Sequence, residues 1–241
     1  MRIAVISDIH GNLEAFRQVL KDMEQMGVEK MICLGDNIGY GPEPNEVVRL
    51  IDELDIPCTM GNHELGIVRP EYLEWFNDSS KQSLLITRSL LSQDTLYHIR
   101  GLEPFLVEAG ALFVHGCPPD LITTYLFELT DVELEALFLR MDQRISFVGH
   151  THNLKSVSFD GRTIHHFRLE RGVADIGDNR RYIINIGSVG QPRDGNNNAK
   201  YVIWDSIRQE IEVRFVSYDI AKTASRILEL GFPKINASRL W

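Results

Sequence analysis

Five short apolar runs in this chain each stop at an Asp, Asn or His, and no other feature restricts the fold as tightly. The runs end as Ser7-Asp8-Ile9-His10, Leu34-Gly35-Asp36-Asn37, Met60-Gly61-Asn62-His63-Glu64, Val114-His115-Gly116 and Val148-Gly149-His150-Thr151-His152. An apolar run of strand length without polar alternation suits a strand buried on both faces, and the ligands of such sheets gather outside the strand ends. The five polar ends are therefore expected to meet at one place.

The segments between the runs fit that reading. Residues 2–7 form a strand, Leu13, Phe16, Leu20 and Met23 share one face of a helix closed by Gly27, and residues 30–34 form the next strand, a βαβ unit with a right-handed crossover. After Asp36 comes a Gly- and Pro-rich loop, and Asn45 stands where it can cap a helix carrying Val47, Val48, Ile51 and Leu54. Residues 56–60 read as a third strand, with Pro57 pointing to an edge position. Residues 66–109 break the rhythm and read as two or more inserted helices bordering the site.

Residues 111–114 and 145–148 supply the fourth and fifth strands, separated by a helix that opens with the capping box Thr130-Asp131-Val132-Glu133. Beyond His152 the chain turns β-rich, with a hairpin over 155–167 about Asp160-Gly161, strands near 182–186, 200–204 and 210–218, and a helix over 220–230 ended by Gly231. With no repeat, low-complexity tract or linker, residues 1–241 read as a single domain.

A net charge of −9 argues against general attraction to nucleic acid or to acidic membranes. The three cysteines, Cys33, Cys58 and Cys117, have no pairing pattern, which fits a reducing compartment. The apolar stretch at the start is too short for a signal segment and no run reaches membrane-spanning length, so a cytoplasmic location is expected. The expected partner is a small molecule, and a homo-oligomer is open.

Asp8 and His10 are two apart, as are His150 and His152, so on extended chain each pair projects to one side. Each motif alone is weak, since D-x-H is common by chance and Gly35-Asp36 is also an ordinary turn. Five in chain order are another matter. Two Asp, one Asn and four His suffice for two metal ions about 3.5–4 Å apart, with His63 left over as a proton donor or phosphate contact. Imidazole and carboxylate without thiolate suit Mn, Fe, Zn, Co or Ni rather than a structural zinc. Arg193, among small residues, is a candidate phosphate contact, and Tyr40 a candidate for stacking on an aryl group or base. His98, His165 and His166 read as structural or solvent-facing.

In this combination the chain resembles the calcineurin-type metallophosphoesterases, from residue 1 to about residue 204. The resemblance implies an α/β fold, a four-layer α-β-β-α sandwich of two mixed β-sheets flanked by helices. It also implies one divalent ion on Asp8, His10, Asp36 and His152, and a second on Asp36, Asn62, His115 and His150, with Mn or Fe favoured. Asp36 and a hydroxide would bridge them, and the hydroxide would attack phosphorus while His63 assists the leaving alkoxide.

Gly35-Asp36-Asn37-Ile38-Gly39-Tyr40-Gly41 lacks the arginine of the protein serine/threonine phosphatases and diadenosine tetraphosphate hydrolases, whereas residues 185–195 are similar to the small bacterial and archaeal phosphodiesterase-like branch. A phosphodiesterase acting on small esters is thus the leading expectation. Monoesterase, nucleotide pyrophosphatase and protein phosphatase activities, or a non-catalytic scaffold of the same fold, are the alternatives.

Overall fold

The structure, a computed structural model, describes residues 1–177 and 179–241. In chain order the elements are β1 (Arg2–Ile6), α1 (Leu13–Met23), β2 (Lys30–Cys33), α2 (Pro44–Glu53), α3 (Asn62–Val68), α4 (Asp78–Leu90), α5 (Gln93–Arg100), β3 (Phe105–Glu108), β4 (Ala111–Val114), α6 (Asp131–Arg140) and β5 (Ile145–Val148). They continue with β6 (Leu154–Phe159), β7 (Ile164–Arg168), β8 (Gly172–Asp175), β9 (Arg181–Ile186), β10 (Ala199–Asp205), β11 (Glu210–Val216), α7 (Ile220–Glu229) and α8 (Lys234–Ser238). Short 3-10 turns cover Pro70–Trp75 and Leu126–Glu128.

The strands form two sheets, ordered β2-β1-β10-β11-β8 and β3-β4-β5-β9-β6-β7. Both are mixed: β1 runs parallel to β2 and antiparallel to β10, and β5 runs parallel to β4 and β9 while β6 is antiparallel to β9.

Alternate residues of each central strand enter different cores, which is why the runs carry no polar alternation. Ile3 and Val5 face the layer between the sheets, where they join Phe113, Phe147, Ile184, Val202 and Trp204. Ala4 and Ile6 point outward and pack with Phe16 and Val19 of α1 and Val47 and Ile51 of α2. On the far side, Val114, Val148 and Ile183 meet Leu134 and Phe138 of α6. The result is helix, sheet, sheet, helix, as expected. Burying each large apolar side chain stabilises the sandwich by about 1.5–3 kcal/mol.

Several local expectations are corrected. Residues 56–60 make a single bridge to β2 rather than a strand. The Cys33 amide donates to the Pro57 carbonyl and the Thr59 amide to the Cys33 carbonyl, both at 2.9 Å, after which Met60 bonds across to Glu103. Pro57 has no amide to extend a ladder, so the edge position holds and the strand does not. The polar stop at Asn62 is accordingly the start of α3 rather than a strand end.

Asn45 lies inside α2 and does not cap it. Its side chain donates to the Leu90 carbonyl and accepts from the Ser92 amide and the Thr95 hydroxyl, tying α2 to the α4–α5 corner. The 66–109 segment is mostly helical but ends in β3, and α8 follows the expected last helix. Among the described residues no helix is long and apolar enough to cross a membrane.

Candidate metal centre and cleft

The ends of β1, β2, β4 and β5 lie side by side, and their loops bind one another through the backbone. Asp8 donates its amide to Gly35, His10 to Asp36, Gly149 to His115, Val189 to Ser7 and Gly190 to Asp8, at 2.8–3.0 Å. This lattice holds five side-chain-bearing residues in the left-handed region: Asp8 (φ 54°), His10 (50°), Asp36 (54°), His150 (65°) and His152 (60°). Such backbone costs about 1–3 kcal/mol per residue and persists only where neighbours enforce it. Here it turns every one of these side chains toward a common point.

Close approach of the loops depends on two glycines in particular. A Cβ on Gly61 would sit 2.2 Å from Asp36 Oδ1, and one on Gly149 would sit 2.1 Å from Ser7 Oγ and 2.6 Å from Asp8 Oδ2. Side chains there would displace both carboxylates.

The structure brings together all seven residues named as ligands from the sequence. His152 Nε2 lies 3.2 Å from Asp8 Oδ1 and His10 Nε2 3.7 Å from it, and the two Nε2 atoms are 3.1 Å apart. His115 Nε2 lies 3.3 Å from Asp36 Oδ2, 3.0 Å from Asn62 Oδ1 and 3.2 Å from His150 Nδ1. Asp36 Oδ2 is also 3.7 Å from His10 Nε2, which puts this carboxylate between the two clusters.

The other nitrogen of each imidazole fixes its tautomer. His10 Nδ1 faces the Ile38 carbonyl (3.0 Å), His115 Nδ1 that of Leu34 (2.9 Å), His152 Nδ1 that of Gln191 (2.6 Å) and His150 Nε2 that of Thr123 (3.2 Å). A carbonyl only accepts, so those nitrogens carry the hydrogens and the inward nitrogens present lone pairs. Two lone pairs 3.1 Å apart beside Asp8 Oδ1, which has no hydrogen-bond partner, repel unless a cation stands among them. In the second cluster His115 Nε2 and His150 Nδ1 face each other at 3.2 Å, where either a proton on His115 or a cation relieves the repulsion. The donor set therefore fits metal ions, and Asp8, His10 and His152, or Asp36, His115 and His150, could each hold one.

His63 also comes near, with Nε2 3.9 Å from Asp36 Oδ2, and could form a third grouping with His10 and Asp36. Its second nitrogen, however, is buried against Gly39 with no partner. Lacking the carbonyl that fixes each of the other four rings, it is held by packing against His10, Tyr40 and Phe76.

Electrostatics follow from burial. It holds His10 well below the ordinary histidine range, does the same for His152 with help from Arg193, and lowers His150 to about 3 and His63 to about 4. For His115, burial is outweighed by Asp36, Asp8 and Glu64, and its pKa rises to about 9. A proton on His115 thus balances the carboxylates where a metal cation would otherwise do so.

Two supports escaped the sequence reading. Glu64, in the same short motif as Asn62, accepts backbone N–H bonds from Asp36 (2.9 Å), Asn37 (2.7 Å) and Gly61 (3.1 Å), binding the Asp36 loop to the start of α3. Burial, together with Asp36, raises its pKa to about 7. Tyr125 stacks on His150 with centroids 3.8 Å apart. Asn185 and Ser188 act more locally, Asn185 donating to Thr151 Oγ1 (2.9 Å) and Ser188 to the Asp8 carbonyl (2.8 Å).

Beside the ligand cluster opens a cleft of about 130 Å³ whose wall includes Asn62, His150 and Arg193. Tyr40, Tyr72, Trp75 and Phe76 give it an aromatic side. Arg193 donates to Gln191 and lies over the Tyr40 ring at 5.6 Å, and the Tyr40 hydroxyl is hydrogen-bonded to Ser80. The remaining histidines are remote from the cluster: His165 pairs with Asp160, His166 with Asp131, and His98 lies 3.4 Å from Asp52. Cys117 is a packed thiol, pushed up to about 12 by burial.

A double sheet with imidazoles and carboxylates converging at its strand ends is the architecture of a metallophosphoesterase. The chain belongs to the calcineurin-like phosphoesterase superfamily, whose domain model matches residues 1–208. An uncharacterized protein of Methanocaldococcus jannaschii is 37% identical over 246 residues, covering 99% of this chain and 97% of that protein. A metallophosphoesterase from Sphaerobacter thermophilus superposes with a TM-score of 0.86 at 32% identity, covering 100% of this chain and 98% of its own. A hypothetical protein of Pyrococcus horikoshii OT3 shares the fold at a TM-score of 0.80 and 21% identity, over 100% and 97% of the two chains.

Proposed function

We propose that this chain is a dinuclear metal-dependent phosphodiesterase acting on small phosphate esters. In this reading Asp8, His10, Asp36 and His152 hold one divalent cation and Asp36, Asn62, His115 and His150 the other. The observation that carries it is the pair of imidazole nitrogens facing each other in each cluster, 3.1 Å apart between His10 and His152 and 3.2 Å between His115 and His150, beside the carboxylates of Asp8 and Asp36. Manganese or iron is the proposed pair, in keeping with carboxylate and imidazole donors without thiolate.

Two bound divalent ions would supply charge for the phosphoryl oxygens and an acidified water as nucleophile. The chain's own residues do the rest. His63, lowered to about 4, is neutral near pH 7 and so offers an Nε2–H hydrogen bond to the leaving oxygen rather than a proton from an imidazolium. Asn62 and Arg193 orient the phosphoryl group, and Tyr40 backs the ring of His63 and the Arg193 guanidinium. The aromatic side of the cleft gives the second ester arm a surface, which favours diesters. The same reading treats the chain as one domain working in the cytoplasm.

The test is to strip the protein of metal, restore Mn²⁺, and compare bis(p-nitrophenyl) phosphate with p-nitrophenyl phosphate. Activity should vanish on stripping, return with Mn²⁺, and favour the diester. Turnover that survives complete metal removal would contradict the proposal.

A further inference from the structure

The superfamily match ends at residue 208, yet α7 and α8 are built into the site rather than hung beside it. Ala224, Ile227, Phe232, Ala237 and Leu240 form a buried cluster that packs on Ile86 and Leu90 of α4. Buried Asn236 donates to the Tyr40 carbonyl (3.2 Å) and to Ser83 Oγ (2.9 Å), and Thr223 donates to Asn12 Oδ1 (3.1 Å). The C-terminal helices therefore fix the loop that carries Tyr40.

At the end of α8 stands Arg239, which lines the same cleft as Arg193, Asn62 and His150. Among the described residues no Asp or Glu lines that cleft, although the chain carries 34 acidic residues against 25 Lys and Arg. Among the described residues Arg193 has one side-chain bond, to Gln191, and its Nε is buried without a partner. Arg239 forms no ion pair or side-chain hydrogen bond among the described residues. Burial and then the nearby Arg193 hold the Arg239 pKa below its usual value, so the two guanidinium groups repel across the cleft. Two like charges in one cleft without a carboxylate among its described residues are stabilised by anionic groups bound beside them.

Resting on the reading of this site as a phosphoesterase, in which Arg193 orients the reacting phosphoryl group, we propose that Arg239 forms a second anion subsite in the same cleft for a negatively charged group on the non-reacting part of the substrate. Arg239 is thus a specificity-determining residue that selects esters with a distal anionic group over esters with none. Trp75, 66% exposed at the rim of the cleft and in contact with Tyr72, provides an aromatic surface for a ring placed between the two anions.

Two probes that share a scissile bond separate this from the phosphoesterase reading itself: thymidine 5′-(p-nitrophenyl phosphate) and the same compound carrying a 3′-phosphate. The Mn²⁺-loaded wild-type chain should prefer the 3′-phosphorylated probe in kcat/KM. Arg239→Ala should shrink that preference by about ten-fold or more, as for loss of a charge-assisted hydrogen bond, mainly through KM, and Arg239→Lys should restore part of it. Intrinsic tryptophan fluorescence gives a readout independent of turnover. On metal-free protein, thymidine 3′,5′-bisphosphate should bind more tightly than thymidine 5′-monophosphate, and Arg239→Ala should abolish the difference.

A wild-type chain with no preference, or an Arg239→Ala variant that keeps the wild-type ratio and binding difference, would overturn the subsite. Failure to turn over either probe, with the binding difference present and Arg239-dependent, would instead sink the phosphodiesterase reading and leave the subsite standing.

Discussion

Glu64→Gln tests whether the cluster is held in place by the backbone bonds beneath it. The Glu64 carboxylate accepts from the amides of Asp36 and Gly61 on one oxygen and from Asn37 on the other, in a buried pocket. Glutamine keeps one acceptor oxygen and turns the other position into an NH₂ donor facing an N–H. At least one buried amide then goes unpaired, at about 1–3 kcal/mol, and the remaining bonds lose their charge assistance, for a total near 2–4 kcal/mol.

That total shrinks in the metal-free protein. There burial and Asp36 raise the Glu64 pKa to about 7, so near neutral pH part of the population already holds a neutral carboxyl. With metal bound, the cations favour the carboxylate and the full loss should appear. In a chain of this size each kcal/mol moves Tm by about 2–4 °C, so the metal-loaded variant should melt roughly 4–16 °C lower and the metal-free variant by less. Metal affinity should fall about 10- to 100-fold, because Asp36 and Asn62 lose their shared support. Calorimetric Mn²⁺ titration and melting curves with and without metal measure both. Wild-type affinity with an unchanged melting temperature would refute the role given to Glu64.

Metal binding near pH 7 should release about one proton from His115, which titrates at about 9 and must give up its proton to become a ligand, and a further fraction of a proton from Glu64. Affinity should accordingly climb as pH rises from 6 toward 9, and Mn²⁺ titrations in buffers of different ionisation enthalpy would reveal the proton. His63→Ala should retain both metals by elemental analysis while kcat falls by about 10²- to 10⁴-fold. Since His63 is neutral above about pH 4, the wild-type rate should show no falling limb from its titration between pH 6 and 8.5, which a kcat/KM pH profile checks. Gly149→Ala places a methyl 2.1 Å from Ser7 Oγ and should sharply lower metal affinity and melting temperature, as metal titration and thermal melts would record.

The ligand residues were legible because each sits at the stop of an apolar run, and all but Asn62, which opens α3, lie just beyond a strand of a buried sheet. The expectation that Asp8 with His10, and His150 with His152, project to one side of an extended chain did not hold as read: all four have left-handed φ, which residue types do not reveal, and His150 and His152 turn to different clusters. The other misreadings share a different cause. Residues 56–60 had strand composition, but one missing amide at Pro57 and a competing partner at Glu103 limited pairing to a bridge. Asn45 looked like a cap and is instead a tertiary tie to Leu90 and Ser92, more than forty residues away in the chain. Trp75 belongs to the 66–109 segment expected to border the site, whereas Arg239 at the end of α8 and Tyr125 in the loop before α6 reach the cleft from elsewhere in the chain, and no local pattern marks such an approach. Glu64 lay in plain view inside the Gly-Asn-His-Glu motif, yet its task depends on which backbone amides fold against it.

The most direct measurement is anomalous diffraction from a crystal of the Mn²⁺-loaded protein, collected on both sides of the manganese edge. Two peaks are predicted, about 3.5–4 Å apart, with Asp36 Oδ2 between them, Asp8, His10 and His152 around one, and Asn62, His115 and His150 around the other. A single peak, or two peaks with Asp36 bound to neither, would contradict the account.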